Sequence, residues 1–351
     1  MADVLDPEAV AAVDGSAEAA APPRTGLAGG PDHRRAPLVE GMLWYRNAEM
    51  LPFSTPGHKL GVGFDPELKA LFGAQALLSD IPVGGGVDDV HFSLDLWRRA
   101  EDLGADAWGA NRTFYLVNGS STGNLAFLLA TLSPGDEIVV ARDIHKSMLV
   151  AMIHAGAKPV YVAPRLHAAL NVGVGIAAED VAAALDAHPL ANLVALVSPS
   201  YCGVSSDLAA IAEIAHARGV PLYVDEAWGP HFHFHPDLPP SAMASGADGA
   251  VASTHKVLGA ITQSAVLHVQ GPRVDARRVA TTVGMSQTTS PAAYILASID
   301  ACRRQMALHG EALLGTAIEL ARQARRRLQA IPGLVVLDGP SLGVAHYDPT
   351  K

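Results

Sequence analysis

Between residues 110 and 254, short apolar segments alternate with segments of helical length, and this alternation constrains the fold more than any other feature of the sequence. The predicted strands are 113–117, 136–141, 158–163, 193–200, 221–227 and 249–254. The predicted helices between them are 121–132, 147–156, 177–188 and 207–219. Continuously apolar strands that alternate with helices are typical of a mostly parallel sheet covered by helices on both faces. The sequence therefore predicts an α/β fold whose functional groups lie in loops at the carboxyl ends of the strands.

The composition narrows the classes of protein that the chain can belong to. Apolar residues make up 49% of the 351 residues, which is ample for a core, and the formal net charge of −10 argues against a nucleic-acid-binding protein. Two cysteines, Cys202 and Cys302, lie far apart without paired spacing, which indicates a reducing compartment and a cytoplasmic location. Because no apolar run reaches spanning length, we expect no membrane helix.

The regions outside the alternation differ in character. Residues 1–40 are rich in Ala, Pro and Gly and carry acidic groups, which predicts a disordered leader and not a targeting signal. Residues 41–105, rich in turn residues, are predicted to form an N-terminal arm and entrance loops, and residues 106–288 the major domain. Residues 289–351 are predicted to contain linking helices and, with a new apolar strand at 333–339, the start of a smaller C-terminal domain.

Polar groups follow successive predicted strands at the same edge of the sheet. In chain order these groups are Ser120, Ser121 and Thr122, then His145, then Asp225, and finally His255 and Lys256. The small-residue turn at Ser120 could bind an anion through backbone N–H groups or could be an ordinary helix cap. A carboxylate directly behind a buried strand, as at Asp225, requires a cationic partner. Lys256 lies among Gly, Ala, Val and Leu without a nearby acid, which favours a neutral, nucleophilic amine.

Together these groups match what pyridoxal phosphate requires of a protein. The cofactor has a phosphate that needs N–H and hydroxyl donors, an aldehyde that reacts with a lysine amine, a flat ring, and a ring nitrogen that must stay protonated. Asp225 would hold that proton, and Lys256 would form the Schiff base. The residues therefore predict a pyridoxal-phosphate enzyme.

Eight segments carry a resemblance to a known family. The chain resembles the bacterial ornithine/lysine/arginine decarboxylases, which have the aspartate-aminotransferase fold (fold type I), over about residues 50–312. The segments, in family order, are "PGHK" (56–59), "GVDDVH" (86–91), "LVNGSSTGN" (116–124), "HKS" (145–147), "VDEAWGPHFHFHP" (224–236), "STHK" (253–256), "TQSAVLHV" (262–269) and "TSPAAYILASID" (289–300).

The resemblance implies roles for individual residues. The implied catalytic residues are Lys256, Asp225, His255 and His145, of which Lys256 corresponds to the Schiff-base lysine and His145 to the residue stacked on the ring. The implied cofactor-binding residues are Ser120, Ser121, Thr122, His145, Asp225, Ala227, Trp228, Ser253, His255, Lys256 and Thr289. Thr289 lies in a segment that reaches the neighbouring subunit's phosphate in the family, which implies a homodimer or higher oligomer with shared sites.

The implied activity is decarboxylation of a basic amino acid (arginine, lysine or ornithine) to an amine of the polyamine pathway and CO2. Relatives continue well past the final "DPTK" (348–351), so a truncated non-catalytic relative is one alternative, and another fold-type-I enzyme such as an aminotransferase is a second. The alternate histidines His231, His233 and His235 could in principle bind zinc, but the resemblance accounts for them without a metal.

Overall fold

The computed structural model describes residues 30–48, 51–83 and 95–351. The helices in this part of the chain are α1 (Pro37–Asn47), α2 (Pro66–Phe72), α3 (Ala74–Leu78), α4 (Leu96–Ala107), α5 (Gly119–Thr131), α6 (Lys146–Ala155), α7 (Ala178–Ala187), α8 (Leu208–His216), α9 (Thr254–Val257), α10 (Ala276–Ser286), α11 (Ala293–Gln329) and α12 (Gly339–Leu342). The strands are β1 (Arg112–Leu116), β2 (Glu137–Ala141), β3 (Lys158–Val162), β4 (Ala191–Val197), β5 (Val204–Ser205), β6 (Leu222–Asp225), β7 (Gly249–Ala252), β8 (Ala265–Val269) and β9 (His346–Tyr347).

Seven of these strands form one twisted sheet in the order β1-β8-β7-β6-β4-β2-β3. Strands β3, β2, β4, β6 and β7 pair in parallel, whereas β8 runs antiparallel to both β7 and β1. The predicted mostly parallel α/β fold is confirmed. Strand β8 was not among the predicted strands, because it lies outside the alternation.

Helices cover both faces of the sheet, as the apolar strands require. On one face α5, α6 and α10 contribute Phe127, Met148 and Val279 to the core. On the other face α7 and α8 contribute Val181 and Ile211. Within the described ranges, no helix combines the length and the apolar character needed to cross a membrane.

Helix α1 is anchored by a hydrogen bond to a buried ion pair within α11. Asp300 binds the Arg303 guanidinium at 2.7 Å and accepts a hydrogen bond from the Leu38 backbone at 2.9 Å. Leu38 is buried and α1 begins at Pro37, so the structure describes part of a helix within the segment 1–40 that the sequence analysis assigned to a leader. Residues 1–29 and the segment 86–91 lie outside the described residues.

The strand predicted at 333–339 is wrong. Residues 334–338 have no regular structure, and the Val335 side chain is 77% exposed. An apolar run forms a strand only where another strand offers its backbone for pairing. In the described part of this region, it is β9 that finds such a partner, since it pairs antiparallel with β5.

Candidate active site

Lys256 lies in α9, a single helical turn that follows β7 at the edge of the sheet. Its Nζ lies 4.6 Å from the centroid of the Trp228 ring, a cation–π distance. Although the residue as a whole is exposed, desolvation lowers the pKa of its ammonium, and the negative charge of Asp225 opposes this shift. A lower pKa increases the fraction of neutral amine, which is the nucleophilic form.

Asp225 is the last residue of β6 and is 3% exposed. Its Oδ2 accepts a hydrogen bond from Asn124 Nδ2 at 2.8 Å, and its Oδ1 accepts one from the Ala227 backbone at 3.1 Å. Burial raises the pKa of this carboxyl above its ordinary value, against the opposing effects of these bonds and of the His145 and Lys256 charges. A buried carboxylate of this kind gains stability when a cation binds beside it.

Asn124 joins Asp225 to His145 through a buried network that the sequence analysis did not predict. The Asn124 amide also donates to Ser147 Oγ at 2.8 Å, and its carbonyl oxygen accepts from the Tyr223 hydroxyl at 2.8 Å. The Ser147 hydroxyl lies 2.8 Å from His145 Nδ1. The Ser147 backbone N–H also donates to Nδ1, at 3.3 Å, so Nδ1 is an acceptor and the neutral His145 ring carries its proton on Nε2.

The amino end of α5 forms the opposite end of the site. Gly119 begins the helix with φ +71°, and the preceding Asn118 side chain forms no capping hydrogen bond. The first-turn N–H groups at Ser120 and Ser121 are therefore not satisfied by a side-chain cap. Such a helix terminus attracts anions, and the Thr122 side chain lies in the same turn.

Buried hydroxyls next to Lys256 lack a partner. Ser253 Oγ and Thr254 Oγ1 are both inaccessible to solvent, and neither forms a hydrogen bond within the described residues. His255 Nδ1 binds the Ser264 carbonyl at 2.7 Å, which fixes this nitrogen as a donor and leaves Nε2 as an acceptor in the neutral ring. Orphaned buried hydroxyls are uncommon in proteins, and a bound group with acceptor oxygens would satisfy them.

The residues present fit pyridoxal phosphate. A helix terminus without a side-chain cap and two orphaned hydroxyls suit a phosphate. A buried carboxylate suits a protonated ring nitrogen, and a lysine of lowered pKa suits an aldehyde. These groups come from different strand ends and are brought to one edge by the parallel sheet.

Comparison with known protein families decides the assignment. Residues 36–339 match the family described as Orn/Lys/Arg decarboxylase, major domain. The chain belongs to this Orn/Lys/Arg decarboxylase family. The match extends the predicted resemblance at both ends, and the fold is that of the fold-type-I pyridoxal-phosphate enzymes.

Similar proteins include arginine and lysine decarboxylases. It is 41% identical to the arginine decarboxylase of Halalkalibacterium halodurans over 90% of this chain and 65% of that protein. It is 39% identical to the arginine decarboxylase of Bacillus subtilis, again over 90% of this chain and 65% of that protein. Lysine decarboxylase A from Pseudomonas aeruginosa superposes with a TM-score of 0.73 at 27% identity, over 87% of this chain and 45% of that chain. The chain thus spans about 65% of the length of these arginine decarboxylases.

Three further predicted site residues of this member of the Orn/Lys/Arg decarboxylase family occupy different surroundings. Ala227 is buried beside Asp225, and Trp228 lies under the Lys256 ammonium. Thr289 is instead exposed in the loop between α10 and α11, and it forms no side-chain hydrogen bond in the described structure.

The three alternate histidines have separate surroundings. His231 is buried and lies 3.0 Å from Asp348, whereas His235 Nδ1 accepts from the Asp237 backbone at 3.0 Å. His233 packs against the ring of Phe234. Across the ranges that the structure describes, no three His, Cys, Asp or Glu side chains converge as metal ligands.

Proposed function

We propose that this chain carries the catalytic core of a pyridoxal-phosphate-dependent decarboxylase that acts on a basic amino acid. The observation that carries this proposal is the convergence of the Lys256 amine, the buried Asp225 carboxylate and the orphaned hydroxyls of Ser253 and Thr254 at one sheet edge. Family membership supports the reaction type, because the family is that of ornithine, lysine and arginine decarboxylases.

The cofactor, when bound, supplies an electron-withdrawing ring that accepts the electrons of the bond to the departing carboxylate. The chain supplies the groups around it. Lys256 would hold the aldehyde through its neutral amine, and Asp225 would keep the ring nitrogen protonated by placing a negative charge beside it. His145, fixed by Ser147, would present a flat ring for stacking, and the turn at Ser120 would hold the phosphate.

We propose arginine, lysine or ornithine as the substrate class. The names of the relatives support this choice, since they include arginine decarboxylases at 41% and 39% identity and a lysine decarboxylase among the solved structures. The product would be an amine of the polyamine pathway together with CO2. An aminotransferase would instead produce a keto acid, which gives a direct way to separate the two reactions.

We also propose that two copies of the chain share their active sites in a cytoplasmic homodimer or higher oligomer. Thr289 is exposed and so accessible to another subunit, and the N-terminal region 41–105 exposes Leu51, Phe53 and Leu71 to solvent. Large exposed apolar side chains are typical of interaction surfaces where they form a contiguous patch. In this arrangement residues 106–288 bind the cofactor, and residues 289–351 link them to a smaller domain.

Replacement of Lys256 by alanine tests the proposal. We expect Lys256→Ala to lose the absorbance of lysine-bound pyridoxal phosphate at the boundary between the near-ultraviolet and the visible. We also expect it to release no CO2 from arginine, lysine or ornithine. Lys158→Ala, at an exposed position on β3, is the matched control and should retain both signals. CO2 and keto-acid formation are measured in parallel, in this chain and in a version extended at its carboxyl end. Unchanged absorbance in Lys256→Ala, or keto acid without CO2 from the unmodified chain, would contradict the proposal.

A further inference from the structure

Residues 346–351 form a turn that docks beside the candidate active site. Strand β9 pairs with β5, and the Asp348 backbone N–H then donates to the Gly203 carbonyl at 2.8 Å. The Lys351 N–H closes the turn on the Asp348 carbonyl at 3.1 Å. The chain is therefore fixed by backbone hydrogen bonds up to Lys351, next to the loop that follows β4.

Asp348 connects this turn to the loop that carries Trp228. Its carboxylate is fully buried and lies 3.0 Å from Nε2 of His231, which is also fully buried and is three residues after Trp228. Thr350 donates to the other carboxylate oxygen through both its N–H and its hydroxyl, at 2.9 and 2.7 Å. Burial raises the pKa of Asp348, but the hydrogen bonds from His231 and Thr350 outweigh this effect and leave the pKa below its ordinary value. The carboxylate thus stays charged and holds the two segments together.

Lys351 extends from this turn to the Trp228 ring. Its Nζ lies 5.3 Å from the ring centroid and 3.8 Å from Asp348 Oδ2, and its side chain is 19% exposed. The Trp228 ring thus contacts two ammonium groups, because Lys256 Nζ lies 4.6 Å from the same centroid. Gly203 contacts the Lys351 stem so closely that a Cβ at this position would lie 2.8 Å from Lys351 Cγ.

We propose that Lys351 is a positioning residue of the active site, which holds the Trp228 ring against Lys256. The proposal rests on the proposed function for the role of Lys256, whereas the contact with Trp228 is independent of it. A cation over an indole ring stabilises one orientation of the ring. Lys351 is itself fixed by Asp348, by the Gly203 loop and by the pairing of β9. Trp228 is therefore held by the turn 346–351, and the same ring contacts the amine that would bind the cofactor.

The test uses variants that remove or displace the Lys351 ammonium. Lys351→Met removes the charge and keeps much of the stem, and Lys351→Arg keeps a cation that stacks on aromatic rings. Gly203→Ala displaces Lys351 without changing any residue of the site. Its control is Gly135→Ala, because Gly135 has almost the same backbone conformation (φ +92° against +90°) but no atom within 4 Å of an added Cβ. Both alanine substitutions therefore require the same unfavourable φ, and only at position 203 does the added Cβ contact the turn 346–351, at Lys351 and, at 3.2 Å, at Asp348 Cβ.

The first measurement is acrylamide quenching of tryptophan fluorescence in the cofactor-free chain. The chain has four tryptophans, so each variant is compared with the same variant carrying Trp228→Phe, and the difference isolates Trp228. We expect quenching of Trp228 to rise about two- to fivefold in Lys351→Met and Gly203→Ala, in line with the loss of one cation–π contact. Lys351→Arg and Gly135→Ala should resemble the unmodified chain. Equal quenching of Trp228 in all variants would overturn the proposal.

The second measurement is the apparent affinity for added pyridoxal phosphate, followed by its absorbance. We expect Lys351→Met and Gly203→Ala to bind about two- to fivefold more weakly and Lys351→Arg to restore binding. Changed quenching with unchanged affinity would overturn the role of Lys351 in the site. If the unmodified chain bound no cofactor, the proposed function would fail, but the fluorescence comparison would still decide whether Lys351 positions Trp228.

Discussion

The two ends of the candidate site differ in how completely their buried polar groups are satisfied. At the Asp225 end, Asn124 uses both amide protons and its carbonyl oxygen in hydrogen bonds to Asp225, Ser147 and Tyr223, each 2.8 Å long. At the opposite end, Ser253 Oγ is fully buried and has no partner in the described structure. The carboxylate that would face the ring nitrogen is therefore oriented before any cofactor binds.

This difference indicates which end of the site is ordered without the cofactor and which end is completed by it. A satisfied buried network is rigid and fixes one geometry, whereas an orphaned hydroxyl destabilises the cofactor-free protein until a ligand accepts its hydrogen bond. We infer that the protein is organised around Asp225 on its own, and that the phosphate-binding end is completed by the cofactor. Substitutions at the two ends should consequently change the stability of the cofactor-free chain in opposite directions.

The largest effect is expected at Asn124. Asn124→Ala removes a hydrogen bond from three buried groups, of which the Ser147 hydroxyl keeps its bond to His145. The Asp225 oxygen and the Tyr223 hydroxyl are left without this partner, at a cost of about 1–3 kcal/mol for each unsatisfied group and more for a charged one. The expected loss is about 5 kcal/mol in the free energy of unfolding of the cofactor-free chain, measured by urea denaturation. Asn192→Ala, at an exposed position of β4, is the control and should change the free energy by less than about 0.5 kcal/mol. A loss at Asn124 no larger than that of the control would show that the network does not organise this end.

Glu226 provides the next comparison, with Asp225. It is also a buried carboxyl and lies next to Asp225 in the sequence, but within the described residues no network like that of Asn124 binds it. It accepts one hydrogen bond, from the Ala242 backbone at 2.7 Å, and burial raises its pKa from 4.5 to about 8. Below pH 4.5 the group is protonated in both the folded and the unfolded chain. Between pH 4.5 and 8 only the folded chain keeps the proton, so the stability that Glu226 contributes decreases as the pH rises.

Glu226→Gln should remove this dependence. We expect the variant to gain stability relative to the unmodified chain between pH 5 and 9, by on the order of 4 kcal/mol, in urea denaturation at a series of pH values. Glu213→Gln, at an exposed position of α8, should show no such trend. A constant difference between Glu226→Gln and the unmodified chain across this range would mean that Glu226 is ionised throughout.

The sequence predicted the parts of the molecule that follow from local pattern. Asp225 and Lys256 could be placed at one edge because each comes directly after an apolar strand, and the carboxyl ends of parallel strands meet. Asn124 could not be assigned in this way, since a single polar residue on an apolar helix has no spacing that points to its partners. The one available signal was its position one helical turn after Ser120, on the helix that begins at the site.

Long-range pairing explains the remaining differences. Strand β8 and the wrongly predicted strand at 333–339 are both short apolar runs, yet only β8 has neighbours on both sides, in β1 and β7. Local composition cannot distinguish these cases, because the pairing depends on where distant segments lie. The docking of Lys351 on Trp228 likewise depends on β9 reaching β5, which no local motif shows.

The smallest effect, but the sharpest test of the comparison, is expected at Ser253. Ser253→Ala removes a buried hydroxyl that has no partner, so the cofactor-free chain should gain about 1 kcal/mol. Ser241→Ala is the matched control, because Ser241 is also buried but its hydroxyl accepts from the Ala244 backbone at 3.2 Å, and its loss should destabilise the chain by about 1 kcal/mol.

With pyridoxal phosphate present, the effect of Ser253→Ala on stability should change sign. The Ser253 hydroxyl would then bind a phosphate oxygen, so its removal would weaken the ligand-dependent rise in Tm. Thermal unfolding with and without the cofactor measures both signs. Destabilisation of the cofactor-free chain by Ser253→Ala, equal to that of Ser241→Ala, would mean that Ser253 already has a partner and that this end of the site is as complete as the Asp225 end.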